Sequence, residues 1–187
     1  MMQIADEKIE EKPKVEEKPI DVPVTINLPE NSPLRRLVKP HNKISRKVLE
    51  SDMERVAEEA KILYAICFEV NGLHHGAYAM AHSQIDDKDP LYFYVTADKE
   101  IIINPVITRH SNYEIDSKEG CVSSIEKGEK IVKRWHKCDL DYFTIMIDPE
   151  DSTKFKLSGI IKQSLSGKDS HIAQHEIDHL NGIFIYA

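Results

Sequence analysis

His175-Glu176-Ile177-Asp178-His179 stands near the end of a 187-residue chain, and its reading decides the rest. Residues four apart on a helix lie on one face, one turn above the other. In a helix, His175 and His179 therefore aim two imidazoles at one point. Glu176 lies beside them, within reach of a water held at that point. The flanks suit a helix. Ser166, Gly167 and Asp169 supply loop and N-cap chemistry, Gly182 supplies a stop, and the helix is expected over about Ser170–Asn181. The plainer alternative is a helix with two exposed histidines and a solvated glutamate.

Chain arithmetic sorts the metal readings. A catalytic site needs three protein ligands and one open position. The eight residues after His179, Leu180–Ala187, include no His, Cys, Asp or Glu. One protease pattern extends HExxH to HExxHxxGxxH. Gly182 fits it, but Ile185 stands where the third histidine belongs. The third ligand is expected upstream, and Cys121 in Glu119-Gly120-Cys121-Val122-Ser123 is the best candidate. One thiolate with two imidazoles suits Zn²⁺ or Fe²⁺. Gly120 would let backbone approach the site closely. Taken alone, Cys121 reads as a buried apolar thiol. Three cysteines (Cys67, Cys121, Cys138) cannot all pair, so a reducing compartment is expected.

Outward from these motifs the chain reads as α+β. Apolar positions from Val48 to Cys67 recur at helical spacing within about Asn42–Asn71, which predicts a long N-terminal helix with Met53 and Cys67 in its core face. Asn71-Gly72 is its stop. The middle reads as mostly antiparallel strands: Leu91–Thr96, Ile101–Ile103 ending at Asn104-Pro105, Lys130–Cys138, Tyr142–Asp148 and Lys154–Ile161. Trp135 is expected in a core. A C-terminal helix then carries HExxH.

Hydrophobic residues make up 41% of the chain and charged residues 30%, with a formal net charge of −7. That balance excludes a basic nucleic-acid surface as the default. No apolar run approaches the ~18 residues of a membrane span. Residues 1–23 hold seven acids, four lysines, three prolines and no aromatic residue. Such a segment buries too little to offset its ordering entropy, so residues 1–31 are expected to be an acidic, disordered arm before a catalytic domain over 32–187.

The residues resemble the peptide deformylase family. Its EGC motif is matched by Glu119–Ser123, and its QHExDHLxG motif by Gln174–Gly182 at every fixed position. Its glycine-rich first motif is degenerate here, at Ala77-Tyr78-Ala79-Met80-Ala81-His82-Ser83-Gln84, with the terminal glutamine kept. Pro33–Pro40, Asn104-Pro105 and Val132-x-Arg134 add to the likeness. It covers residues 32–187. It implies removal of the formyl group from formylmethionine at the start of nascent polypeptides, with release of formate. Cys121, His175 and His179 would hold one divalent metal, Fe²⁺ natively, with Zn²⁺, Ni²⁺ or Co²⁺ as substitutes. Glu176 would take a proton from water and pass it to the leaving amine. Gln84 and the backbone N–H of Val122 would donate to the formyl oxygen. An extended substrate would pair with backbone near Ala77, Tyr78 and Ala79 and near Glu119 and Gly120. His171 and Ile172, with Tyr78, would line a side-chain pocket that is more polar than the family's or differently shaped. Asp178 either orients a ligand or is a simple helix carboxylate, and His82, where the family has alanine, is expected to be structural.

The chain stops soon after the last motif, as short phage-type forms do. Any approach to the ribosome is then transient and made without a C-terminal docking helix. A monomer in the cytoplasm of a bacterium or phage-infected host is expected, with no DNA and no membrane partner. Three rivals stand beside this reading. One is an HExxH peptidase using Cys121 as third ligand. Another is a binding protein that keeps metal but has lost activity. The third is a structural zinc site, which would want a fourth ligand such as His74, His75 or His82.

Overall fold

A computed structural model describes residues 32–72 and 77–187. The acidic arm expected over residues 1–31 and the His74-His75 pair lie outside the described residues.

Helix α1 spans Met53–Gly72, after a short 3-10 turn at Glu50–Asp52. Helical spacing predicts an earlier start, but the chain before Glu50 runs extended. Two side chains explain the difference. The Asp52 carboxylate accepts the Leu49 N–H at 2.8 Å and is gripped by both Arg46 terminal nitrogens, which fixes the turn there. The Asn104 side-chain amide meets both the N–H and the C=O of Val48 at 2.9 Å, which holds that residue extended. Met53, Val56, Ala60, Leu63, Ile66 and Cys67 form the buried face of α1.

Nine strands are found among the described residues: β1 (Ala79–Ala81), β2 (Phe93–Thr96), β3 (Ile101–His110), β4 (Glu114–Glu119), β5 (Lys130–Trp135), β6 (Lys137–Phe143), β7 (Ile145–Ile147), β8 (Phe155–Leu157) and β9 (Ile161–Ser166). Helix α2 covers Lys168–Leu180. Five strands make one antiparallel sheet in the order β1-β2-β3-β6-β9, while β4-β5 and β7-β8 form separate ribbons. The fold is thus a mixture of helix and antiparallel sheet.

Strand alternation divides the core between two faces. Met80, Phe93, Val95 and Ile103 face α1. Ala79, Ala81, Tyr94, Ile102 and Leu140 face the other way, with Leu180 of α2. The sheet lies between the helices, and β1 is an edge beside α2.

Several expected strands have different limits. Asn104-Pro105 does not end β3. Asn104 adopts φ 51° and the register with β6 shifts between Ile103 and Val106, so the strand bulges and continues. The expected strands Lys130–Cys138, Tyr142–Asp148 and Lys154–Ile161 each divide into two elements. Strand β4 is not among the expected strands, because Glu-Ile-Asp-Ser-Lys-Glu offers almost no apolar pattern. Trp135 is only half-buried at the end of β5, where it stacks on His110 with ring centroids 3.7 Å apart.

Helix α2 starts after Gly167 at φ 56° with no side-chain cap, so Ser166 and Asp169 do not cap it. It stops as expected. Gly182 N–H meets the His179 carbonyl at 3.0 Å and Ile183 N–H the Asp178 carbonyl at 2.8 Å, a Schellman ending with Gly182 at φ 71°.

Candidate metal centre

Helix α2 stacks His175 and His179 one turn apart, with ring centroids 4.9 Å from each other. Cys121 arrives from another element, the turn that follows β4. Its Sγ lies 3.2 Å from His179 Nε2. One ligand atom from each of Cys121, His175 and His179 falls within 4.8 Å of the others, close enough to share one metal ion. The donor set fits such an ion: a thiol and two imidazoles, largely shielded from solvent. Gly120 has room for a side chain, since an added Cβ would come no nearer than 3.9 Å to its neighbours.

A chain of charges sets the imidazole orientation. His175 Nδ1 donates to Glu119 Oε2 at 2.9 Å, which leaves Nε2 for the centre. Arg134 grips both Glu119 oxygens at 2.8 Å and reaches Asp178 with its other arm. Burial alone would raise the Glu119 pKa, but Arg134 and His175 hold it down at about 2. In the sequence, Arg134 is marked only by the Val132-x-Arg134 similarity, and Glu119 only by its place in the EGC motif and its backbone. Asp178 belongs to this network rather than to a bare helix surface. Gln174 ties α2 to the ribbon, accepting the Trp135 N–H at 2.9 Å and donating to the Trp135 carbonyl at 2.8 Å.

Glu176 is buried, and its Oε2 has no hydrogen-bond partner among the described residues. Burial pushes its carboxyl up to about 7, with His175 opposing. A carboxyl poised there can take and return a proton near neutrality. Gln84 is oriented by its own backbone turn. Its Oε1 accepts the Ala81 N–H at 2.9 Å, so its Nε2 points to Ser123 Oγ at 3.0 Å and to Cys121 Sγ at 3.7 Å. Val122 opens the 3-10 turn after Cys121, where a backbone N–H has no partner within the helix. His82 lies in the core, its Nδ1 accepting the Leu91 N–H at 2.9 Å and its ring stacked on Phe93. It does not enter the cleft.

The cleft has a volume of about 700 Å³. Ala77, Tyr78, Ala79, Gln84, Glu119, Gly120, Cys121, Val122, His171, Ile172, His175 and Glu176 all line it. His179 instead faces a small second cavity beside His41 and Ser83. Ser117 and Lys168 line the main cleft as well, and no sequence pattern marked them.

A family model described as polypeptide deformylase matches residues 77–187. A peptide deformylase of Listeria monocytogenes is 35% identical over 103 residues, 54% of this chain and 47% of that protein. One from Streptococcus thermophilus is 33% identical over 90 residues, 47% of this chain and 39% of that protein. The chain thus spans less than half the length of these curated relatives. Among solved structures, a class I type b peptide deformylase from Acinetobacter baumannii superposes with TM-score 0.62 at 22% identity, covering 80% of this chain and 98% of that one. A deformylase from a Vibrio parahaemolyticus bacteriophage, bound to actinonin, gives 0.57 at 25% identity, covering 80% and 98%.

Proposed function

The chain belongs to the polypeptide deformylase family, and from that membership we propose that it removes the N-formyl group from formylmethionine at the start of nascent polypeptides, releasing formate. The observation that carries this is the meeting of Cys121, His175 and His179 at a cleft where Glu176 and Gln84 also converge.

In this reading Cys121, His175 and His179 hold one divalent ion, Fe²⁺ natively, with Zn²⁺, Ni²⁺ or Co²⁺ as substitutes. Such an ion supplies Lewis acidity and makes water a nucleophile near neutral pH. The remaining work falls to the chain. Glu176 takes the proton of the attacking water on a carboxylate oxygen and returns it to the departing amine nitrogen. Gln84 Nε2 and the Val122 N–H donate to the formyl oxygen as negative charge builds there. The Glu119 carboxylate fixes the His175 ring through Nδ1, and Arg134 keeps that carboxylate charged and in place. Edge strand β1 and its approach, Ala77–Ala79, together with Glu119–Gly120, offer backbone to an extended peptide. The substrate is a formylated peptide, the protein acts as a monomer in the cytoplasm, and neither DNA nor membrane takes part. No helix among the described residues is long and apolar enough to cross a membrane.

The test is formate release from formyl-Met peptides by protein loaded anaerobically with iron, compared with nickel. Stoichiometric formate and a new free amine on methionine are expected. New amino termini within the peptide and no formate would mark a peptidase instead. No product from either form would overturn the proposal.

A further inference from the structure

Helix α2 turns one stripe toward the cleft. Lys168, His171, Ile172 and His175 stand at the i, i+3, i+4 and i+7 spacing of one face, and all four line the cavity. At a helical rise of about 1.5 Å per residue, His171 and Ile172 lie roughly 5 Å from His175 along the axis, and Lys168 roughly 10 Å. Tyr78 and Ser117 line the same cavity from the opposing segments. Lys168, His171, Tyr78 and Ser117 thus bring polar groups to a cavity that Val122 and Ile125 also line.

Lys168 is the unusual member. Its ammonium sits 3.2 Å from the centroid of the Tyr78 ring. Among the described residues it has no carboxylate within ion-pair distance. Other charged groups on the cleft are neutralised locally: Lys118 by Glu129, Asp116 by Lys133 and Glu119 by Arg134. An exposed cation on a ring face is held weakly, whereas an ammonium donating to a strong oxygen acceptor is held well.

Resting on the deformylase reading above, we infer that the cleft seats the first side chain of the formyl peptide along His171 and Ile172 and selects it by an acceptor offered to Lys168. The substrate class is a formyl peptide whose first side chain is long, unbranched and carries a hydrogen-bond acceptor near its end. Methionine sulfoxide, the oxidised form of methionine, is such a side chain. Norleucine, methionine and methionine sulfoxide have nearly equal length. They differ in presenting a methylene, a weakly accepting thioether or a strongly accepting oxygen. The cleft therefore processes oxidised formyl-methionine at least as readily as the reduced form.

The experiment uses the full metal-loaded chain and formyl-X-Ala-Ser peptides with X as norleucine, methionine or methionine sulfoxide. The expected kcat/KM order is sulfoxide, methionine, norleucine, with roughly tenfold or more between the extremes. Lys168→Met should bring the extremes within about threefold, and Lys168→Arg should keep the order. Calorimetric binding of the deformylated peptides gives a readout without turnover and should follow the same order. Formate release with norleucine equal to or above the sulfoxide overturns this inference alone, as does an order that survives in Lys168→Met. Formate from none of the peptides overturns the deformylase reading and this inference with it.

Discussion

In the proposed reaction Glu176 carries the proton, and its buried Oε2, without a hydrogen-bond partner among the described residues, gives a sharp test. Glu176→Ala should retain bound metal while formate release falls below about a tenth of the parent rate. Measured metal content beside turnover checks both halves, and activity above that level would remove the proton-transfer role. Glu119→Gln should weaken metal binding by about 10–100-fold, because His175 loses the charged acceptor that orients its ring. Competition with a chelator measures it, and unchanged affinity would contradict the orienting role. His82 answers to pH. Burial first, and then Arg55, hold its pKa down at about 4, against an ordinary value of 6.5. A base with a lowered folded pKa is protonated more readily in the unfolded chain. Its neutral form is fully compatible with folding above pH 6.5, and stability is lost as pH falls from there toward about 4. At pH 5 the loss is about 2 kcal/mol. The stability gap between the parent and His82→Phe, from urea midpoints, should therefore narrow by about that amount between pH 7.5 and pH 5. A constant gap would contradict the assignment. At this scale the sequence was legible where spacing alone sets geometry, as for His175 and His179. It was not legible for Glu119–Arg134–Asp178, whose three members lie on different elements and meet only through the fold.

Helix α2 shows how an element serves the centre. Its face was readable from period, and its stop from Gly182, but the demand on that glycine is twofold. The backbone is at φ 71°, and an added Cβ would lie 2.6 Å from the Asn42 carbonyl carbon and oxygen. Gly182→Ala should cost about 1–3 kcal/mol from the backbone conformation alone, and more from the collision. Urea unfolding measures it, and a neutral substitution would mean that the end of α2 is not pinned against the Asn42 segment. The start of α1 was misread for a related reason. Periodicity reports which side chains are apolar, whereas Asp52 and Asn104 decide where the backbone turns, and their partners are distant or lie outside the apolar pattern. The ribbon β4-β5 was legible only in β5, within the expected strand Lys130–Cys138, because β4 offers almost no apolar pattern. It nevertheless carries Glu119 and Arg134 and leads into Cys121.

The whole molecule brings together what the chain keeps apart. Cys121 and His179 are 58 residues apart in sequence, and they meet because the β4-β5 ribbon and α2 flank one cleft. The mixture of helix and antiparallel sheet was legible from composition and punctuation. The sheet order and the two ribbons were not, since pairing partners leave no local mark. The placement of Lys168 over Tyr78 was not legible either, since no sequence pattern marks that lysine. All of the proposed chemistry depends on one ion held by three side chains. X-ray absorption at the metal edge of the iron- or nickel-loaded protein tests that most directly. One ion per chain with one sulfur and two nitrogen ligands from the protein is the predicted result, and a tightly bound ion with no sulfur neighbour would contradict it.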